Sequence, residues 1–249
     1  ARCKKMRPWS SESEEPDEDY YRAQPGEILN GRYRVVKRLG CGAFASVWKC
    51  TSGGETVAVK IPHIRLGFAA NNELAMLQAA AGPGVVELRA SFRFNGGSCF
   101  VLEMLHESLL DVCCRDGALA ATRVRAITRD LLSALASVHA KGVAHADVKP
   151  ENVMLTASGA VKLVDFGLAF HQGRRRRDTA PVQTREYRAP EAVLGLPRYT
   201  TAIDVWSVAC LVFELLTGQY LFDIPLTTFD HCSRDELHLA QAVEVLGTP

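Results

Sequence analysis

One stretch limits what this chain can fold into. Residues 200–218, TTAIDVWSVACLVFELLTG, are apolar nearly all round. A helix without a polar face has to be surrounded by protein. Its apolar part, IDVWSVACLVFELL, is too short to span a bilayer, and it carries Asp204 and Glu214. It is therefore expected at the centre of a sizeable domain, with Gly218 placed to cap its C-terminus. The 249 residues, 47% of them hydrophobic and 23% charged, suffice for one or two domains around it. The formal net charge of +1 gives no overall pull toward nucleic acid or a membrane surface, so any charged partner must be met locally. The eight cysteines, Cys3, Cys41, Cys50, Cys99, Cys113, Cys114, Cys210 and Cys232, include no CxxC pair with metal-ligand rhythm. They are expected to be reduced packing residues. ARCKKMRPWS at the start has basic residues but no apolar core, so no secretory signal is expected.

Ahead of the buried helix the periodicity is that of strands. Residues 10–19, SSESEEPDED, have no apolar period, and residues 1–30 are expected to be a loosely held acidic extension. Ordered structure is expected from near Tyr33, where RYRVVKRLG alternates. FASVWKCT, ETVAVKI, GVVELRASF and SCFVLEM are further strands, with the helix ANNELAMLQAAA between the third and fourth. Residues 31–103 thus read as an antiparallel five-stranded sheet with one helix. From residue 104 the period changes. TRVRAITRDLLSALASVHA puts Val124, Ile127, Leu131, Leu135 and Val138 on one helical face. The short strands ENVML and AVKLV flank the turn TASG. The class is α+β, in two lobes.

Several motifs carry chemistry. In LGCGAFASV, Gly40 and Gly42 let backbone N–H groups approach an anion, and Ala45 stands where a third glycine would complete GxGxxG. On the strand VAVK, Val57, Val59 and Ile61 share one face, while Ala58 and Lys60 share the other. A small residue beside a lysine suits a flat base with a phosphate beyond it. Glu73 in the following helix can pair with Lys60. In VAHADVKPENVML, Asp147 can accept the proton of a reacting hydroxyl and Lys149 can neutralise charge on a transferring phosphoryl group. Asn152 and Asp165 of VDFG offer hard oxygens for Mg²⁺ from opposite ends of one hairpin. Taken singly, each of these residues is an ordinary surface group; their joint order is not.

GCGAFASV, VAVK, HADVKPEN, DFG and APE, in this order over residues 33–249, resemble the eukaryotic protein kinases. The resemblance implies a bilobal kinase fold: an N-lobe at 31–103 and a mainly helical C-lobe at 104–249 whose C-terminal end is missing. It implies ATP and Mg²⁺ as cofactors. Leu39, Gly40, Gly42, Val47, Ala58, Lys60, Glu103, Leu105 and Leu155 would surround the nucleotide, with Leu102 as gatekeeper. Asn152 and Asp165 would hold metal, and Asp147, Lys149, Lys60 and Glu73 would be catalytic.

TREYRAPE is similar to the CMGC group, which holds the cyclin-dependent, mitogen-activated, glycogen-synthase and splicing kinases. DEDYYRAQPGEILNGRYRVVKRLG, VQTREYR and LLTGQYLFD with CSRDELHLAQAVEVLG resemble the SR-protein kinases. That likeness implies Arg/Ser-rich splicing factors as protein substrates, a monomer in cytoplasm and nucleus, and no direct nucleic-acid or membrane partner. Arg185, Arg188, Asp223, Asp230, Arg234, Asp235 and Glu236 would contact the substrate. Ala146 stands where many kinases carry an arginine that grips an activation-segment phosphate, so the segment is expected to hold its shape unphosphorylated, through Gln183. The chain lacks the family's usual spacer before DFG, and the basic run Arg174–Arg177 falls inside the activation segment. Glu191 is expected to need an arginine from the missing end. Other readings are a proline-directed or dual-specificity CMGC kinase, or a nucleotide-binding pseudokinase.

Overall fold

In the computed structural model, residues 21–42, 45–63, 67–94, 97–173, 182–225 and 233–247 are described. Strands β1 (Ile28–Leu29), β2 (Tyr33–Cys41), β3 (Ala45–Ser52), β4 (Glu55–Pro62), β5 (Leu88–Phe94) and β6 (Gly97–Glu103) form one sheet in the order β1-β2-β3-β4-β6-β5. Each neighbouring pair runs antiparallel. The expected five strands thus gain a short sixth. Its Leu29, together with Ala23, is buried against Val57, Val59 and Ile61. Packing therefore begins ahead of residue 31, because these two apolar side chains close one face of the sheet. Period-two alternation turns Ala58 and Lys60 to the opposite face, beneath helix α1 (Gly67–Ala80).

The helical lobe contains α2 (Leu109–Asp116), α3 (Ala121–His139), α4 (Pro190–Val193), α5 (Ala202–Thr217) and α6 (Arg234–Leu246). A three-stranded sheet, β10 (Val161–Leu163), β9 (Val153–Leu155) and β7 (Glu107–Ser108), lies beside it, and β8 (Val143–Ala144) pairs with β11 (Phe170–His171). The expected face of α3 is the one buried: Val124, Ile127, Leu131, Leu135 and Val138. Helix α5 is the lobe's axis, with Ile203, Leu211 and Leu215 fully enclosed. It ends at Gly218, whose left-handed φ of 70° lets its N–H reach the Glu214 carbonyl. Helices α2 and α6 each begin with a reciprocal capping box, Ser108 with Asp111 and Ser233 with Glu236. Cys50, Cys99 and Cys210 are buried free thiols, as expected of packing residues, whereas Cys114 is disulfide-bonded.

The lobes are joined behind the cleft as well as along the chain. The turn after α1 bonds to β10: Leu163 N–H donates to the Gly84 carbonyl (2.7 Å) and Val86 N–H to the Leu163 carbonyl (2.9 Å). Gly84 lies directly on α3, at a φ of 76°. A Cβ there would stand 2.4 Å from that of Ala134. Gly84→Ala should therefore combine backbone strain with overlap and lower stability by about 2 kcal/mol or more, read from denaturant or thermal unfolding.

Candidate active site

A cavity of ≈ 390 Å³ lies between the sheet and the helical lobe. The β2–β3 hairpin contributes Leu39, Gly40, Gly42, Ala45 and Val47; β4 contributes Ala58 and Lys60. The chain crossing between lobes adds Leu102, Glu103, Met104 and Leu105, and Asn152 and Asp165 close the far side. Leu155 does not line it. Alternation along β9 turns its neighbour Met154 to the cavity and Leu155 into the core.

Lys60 is the electrostatic centre. Its ammonium lies 2.6 Å from Glu73 on α1 and 3.1 Å from Asp165. Burial pulls the Lys60 pKa down, but the two carboxylates outweigh it and hold the group above its ordinary range. Burial also pushes the Glu73 carboxyl up, against the pull of Lys60. For Asp165, burial acts upward too, yet Lys60 and the Gly167 N–H hold the carboxyl at about 2. The sheet, α1 and the loop after β10 thus meet at one cation.

Facing it is a second cluster. Asp147 Oδ1 accepts from the Thr184 hydroxyl (2.7 Å) and backbone N–H (3.1 Å). Its Oδ2 accepts from Asn152 Nδ2 (2.9 Å) and pairs with Lys149 (2.8 Å). Lys149 also donates to the Thr184 hydroxyl (2.9 Å). Asn152 Nδ2 reaches the Asp147 carbonyl as well (2.9 Å), leaving the amide oxygen as the free end of that side chain. Asn152 and Asp165 are hard oxygen donors on one cavity wall, which fits Mg²⁺, an ion usually held by one or two protein oxygens plus phosphate.

Three residues that support this cluster were not singled out as site residues from the sequence. Asp204, fully buried on α5, accepts from the backbone N–H groups of His145 and Ala146 and from the His139 ring, each at 2.8 Å. An acid inside an otherwise apolar helix was the available signal, since a buried carboxylate requires donors. The His145 ring donates from Nε2 to the Val164 carbonyl (3.0 Å), and its Nδ1 accepts the Asp147 N–H (3.2 Å), which fixes the tautomer. Thr184 stood in plain view within TREYRAPE.

Gln183 is the joint between the activation segment and both neighbours. It is buried, with a left-handed φ of 64°. Its N–H donates to the Ala146 carbonyl (3.0 Å), and its side chain bonds Ile203 O, Ser207 Oγ (both 2.8 Å) and Ala189 N–H (3.0 Å). Its own carbonyl accepts from Arg188 Nη2 (2.9 Å).

The expected substrate residues are mostly engaged within the chain. Arg185 pairs with Asp235 at 2.5 Å, Glu236 caps α6 through the Ser233 N–H (2.7 Å), and Arg234 reaches the Ile224 carbonyl (3.5 Å). Asp223 is exposed on the segment before α6, with its carbonyl bonded to Gln241 (3.4 Å). Asp230 and Arg174–Arg177 lie outside the described residues.

Next to the arginines, His238 on α6 is buried against Phe222 (5.4 Å), with neither ring nitrogen bonded among the described residues. Burial, then Arg185 and Arg188, push its pKa from 6.5 down to about 4.

The chain matches the protein kinase domain family over residues 33–244, and it belongs to that family. Human cyclin-dependent kinase 20 is 35% identical over 229 residues, covering 88% of this chain and 64% of its own length. Serine/threonine-protein kinase AFC2 of Arabidopsis thaliana is 32% identical over 276 aligned residues, covering 96% and 61%. Homeodomain-interacting protein kinase 2 of Mesocricetus auratus is 35% identical over 209 residues, covering 78% and 18%. These relatives are CMGC kinases, and the chain spans under two thirds of their lengths. A crystal structure of a kinase domain superposes with a TM-score of 0.75 at 25% identity, covering 87% of this chain and 72% of the other.

Two outcomes follow from this geometry. Gln183→Ala strands the buried Ala189 N–H, takes one of two bonds from the Ile203 carbonyl, which keeps the Ser207 hydroxyl (3.3 Å), and should cost about 2 kcal/mol of stability, read by denaturant unfolding. His238 titrates lower in the folded chain than in the unfolded one, so the unfolded state takes up its proton first as pH falls. The stability it contributes is complete above pH 6.5 and is lost between 6.5 and about 4. His238→Gln should flatten the stability profile in that window.

Proposed function

We propose that the chain binds ATP in this cleft and transfers its γ-phosphoryl group to a serine or threonine hydroxyl of a protein. The observation that carries this reading is the Lys60 ammonium bridging Glu73 and Asp165, opposite the Asp147–Lys149–Asn152 cluster. Lys60 would hold phosphate, and Glu73 keeps the lysine extended into the cavity. Mg²⁺, when bound at Asn152 and Asp165, supplies positive charge to the phosphate oxygens. Asp147 is already oriented by four hydrogen-bonding contacts, so its carboxylate would align the incoming hydroxyl without reorganising. Lys149 stands beside it to offset negative charge as the bond to the leaving oxygen breaks. The carbon-lined hairpin side, Leu39, Val47 and Ala58, would cover the base, with Met154 beneath it. Lys60, Asn152 and Asp165 line the cavity, and Glu73, Asp147 and Lys149 are bonded to this set, which favours an enzyme over a nucleotide-binding scaffold.

The activation segment would act without phosphorylation. Ala146 offers nothing to a phosphate, and Gln183 performs the fastening with neutral hydrogen bonds. Phosphatase treatment should leave activity unchanged; loss of activity would overturn this.

Two substrate classes have support. The sequence likeness to the SR-protein kinases and the Gln183 fastening favour Arg-Ser repeats. Against this, Asp235 and Glu236 are occupied within the chain and do not present free charge to arginines. The Gln183 carbonyl favours the second class, proline-directed sites. Arg188 occupies that carbonyl, so it is turned from the position where a substrate N–H after the target serine would seek an acceptor. Proline lacks the N–H and loses nothing there.

Full-length protein assayed on an Arg-Ser repeat peptide and a Ser-Pro peptide separates the two by kcat/KM. Asp147→Asn should lower kcat about a hundredfold or more on the better peptide while nucleotide affinity stays nearly intact. Equal loss of both would contradict the assigned role.

A further inference from the structure

Helix α1 holds Glu73, yet little in its own sequence holds the helix. It has no acidic residue in its first turn and no basic residue in its last. Past the Gln78 carbonyl, which takes the Ala81 N–H (3.4 Å), its end carbonyls need donors from elsewhere. Lys141, sixty residues away in the turn between α3 and β8, supplies them. Its ammonium lies 3.1 Å from the Ala80 carbonyl and 2.5 Å from that of Ala81. A cation at that end also opposes the helix dipole. Gly82 leaves the space it uses: a Cβ on Gly82 would stand 2.9 Å from Lys141 Nζ. Just beyond, Gly84 lies on Ala134 and bonds to Leu163, so the rear of α1 is fastened to the helical lobe. Ala80 itself is fully buried there. Glu73 sits two turns upstream on the same rigid element, 2.6 Å from Lys60.

We propose that Lys141 is a positioning residue for phosphoryl transfer. By capping α1 from the helical lobe, it fixes how far Glu73 reaches toward Lys60. This rests on the kinase reading, because only that reading makes the Lys60–Glu73 pair matter to turnover. The lysine stem is exposed, so its loss leaves the core packing untouched. Its effect is therefore expected chiefly on the geometry of the pair, with a smaller loss of stability from the two carbonyls left without their donor.

The test uses full-length protein with Lys141→Met, which keeps the stem, Lys141→Arg, which keeps the cation, and Gly82→Ala, which displaces the ammonium with the lysine in place. Lys141→Met should lower kcat about tenfold with nucleotide affinity within about twofold, beside a modest fall in Tm from the two carbonyl bonds lost. Lys141→Arg should recover most of the rate. Gly82→Ala should move in the same direction as Met, and the Gly82→Ala/Lys141→Met double variant should be no worse than the poorer single, because both break one contact. Amide hydrogen exchange in the last turn of α1, read without substrate, should quicken in Met but not in Arg. A Met variant with wild-type turnover and exchange overturns the proposal, as does an Arg variant that fails equally. A wild type that transfers no phosphate, with exchange still quickened by Met, sinks the kinase reading and leaves the cap standing.

Discussion

The buried carboxylate of Asp204 is the contact on which the site depends. It lies on α5, the helix with no polar face, and takes three hydrogen bonds: two from the backbone at His145 and Ala146, one from His139. Ala146 has a φ of 63°, a conformation that costs a residue with a Cβ. The two backbone bonds to Asp204 hold it there regardless. Beyond this bend the Asp147 carboxylate meets Asn152, Lys149 and Thr184, and the Ala146 carbonyl receives the Gln183 N–H. One carboxylate thereby sets the direction of the catalytic loop and, through it, that of the activation segment. The helix that carries it buries Ile203, Ser207, Leu211 and Leu215 in the lobe, while its apolar Val205 and Leu216 stay exposed on the other side.

Around that fixed point the cleft is assembled from both lobes. Lys60 comes from the sheet, Glu73 from α1, Asp165 from the loop after β10. The strand and α1 follow one another in the chain, whereas Asp165 lies 105 residues beyond Lys60, and the lysine's two carboxylates bring all three elements to a common position. A buried ion pair costs solvation, and this one is balanced by having two anions on one cation with further N–H support at Asp165. Disturbance of α1 would be felt first at this junction. Its rear fastening to the helical lobe, through Gly84, Leu163 and Lys141, limits the ways in which the lobes can shift without separating Glu73 from Lys60.

The activation segment shows how a neutral network can replace a charged one. Where a phosphate gripped by arginine draws strength from Coulomb attraction, Gln183 uses two donors, two acceptors and nearly complete burial. Each bond is modest, but leaving any partner unsatisfied in the interior is expensive. The same arrangement consumes the Gln183 carbonyl and the Arg188 guanidinium, so it also bears on what a substrate can bond to. The acids near α6 tell a similar story: residues that look like a docking patch in sequence are occupied in capping a helix and neutralising Arg185.

Much of this was legible in the chain itself. The alternation around VAVK placed Val57, Val59 and Ile61 inward and Ala58 and Lys60 toward the cleft, and helical spacing picked out the buried face of α3, because these periods depend only on local backbone geometry. The order of Lys60, Glu73, Asp147, Asn152 and Asp165 gave the family. What local pattern did not contain was who meets whom. The choice of Met154 over Leu155, the engagement of Asp235 by Arg185, the role of Asp204, and the packing of Ala23 and Leu29 beneath the sheet all depend on partners tens of residues away. Sequence alone determined the elements and the chemical groups available; the tertiary structure decided which groups face each other, because burial and hydrogen-bond satisfaction are settled only when distant segments compete for the same interior space.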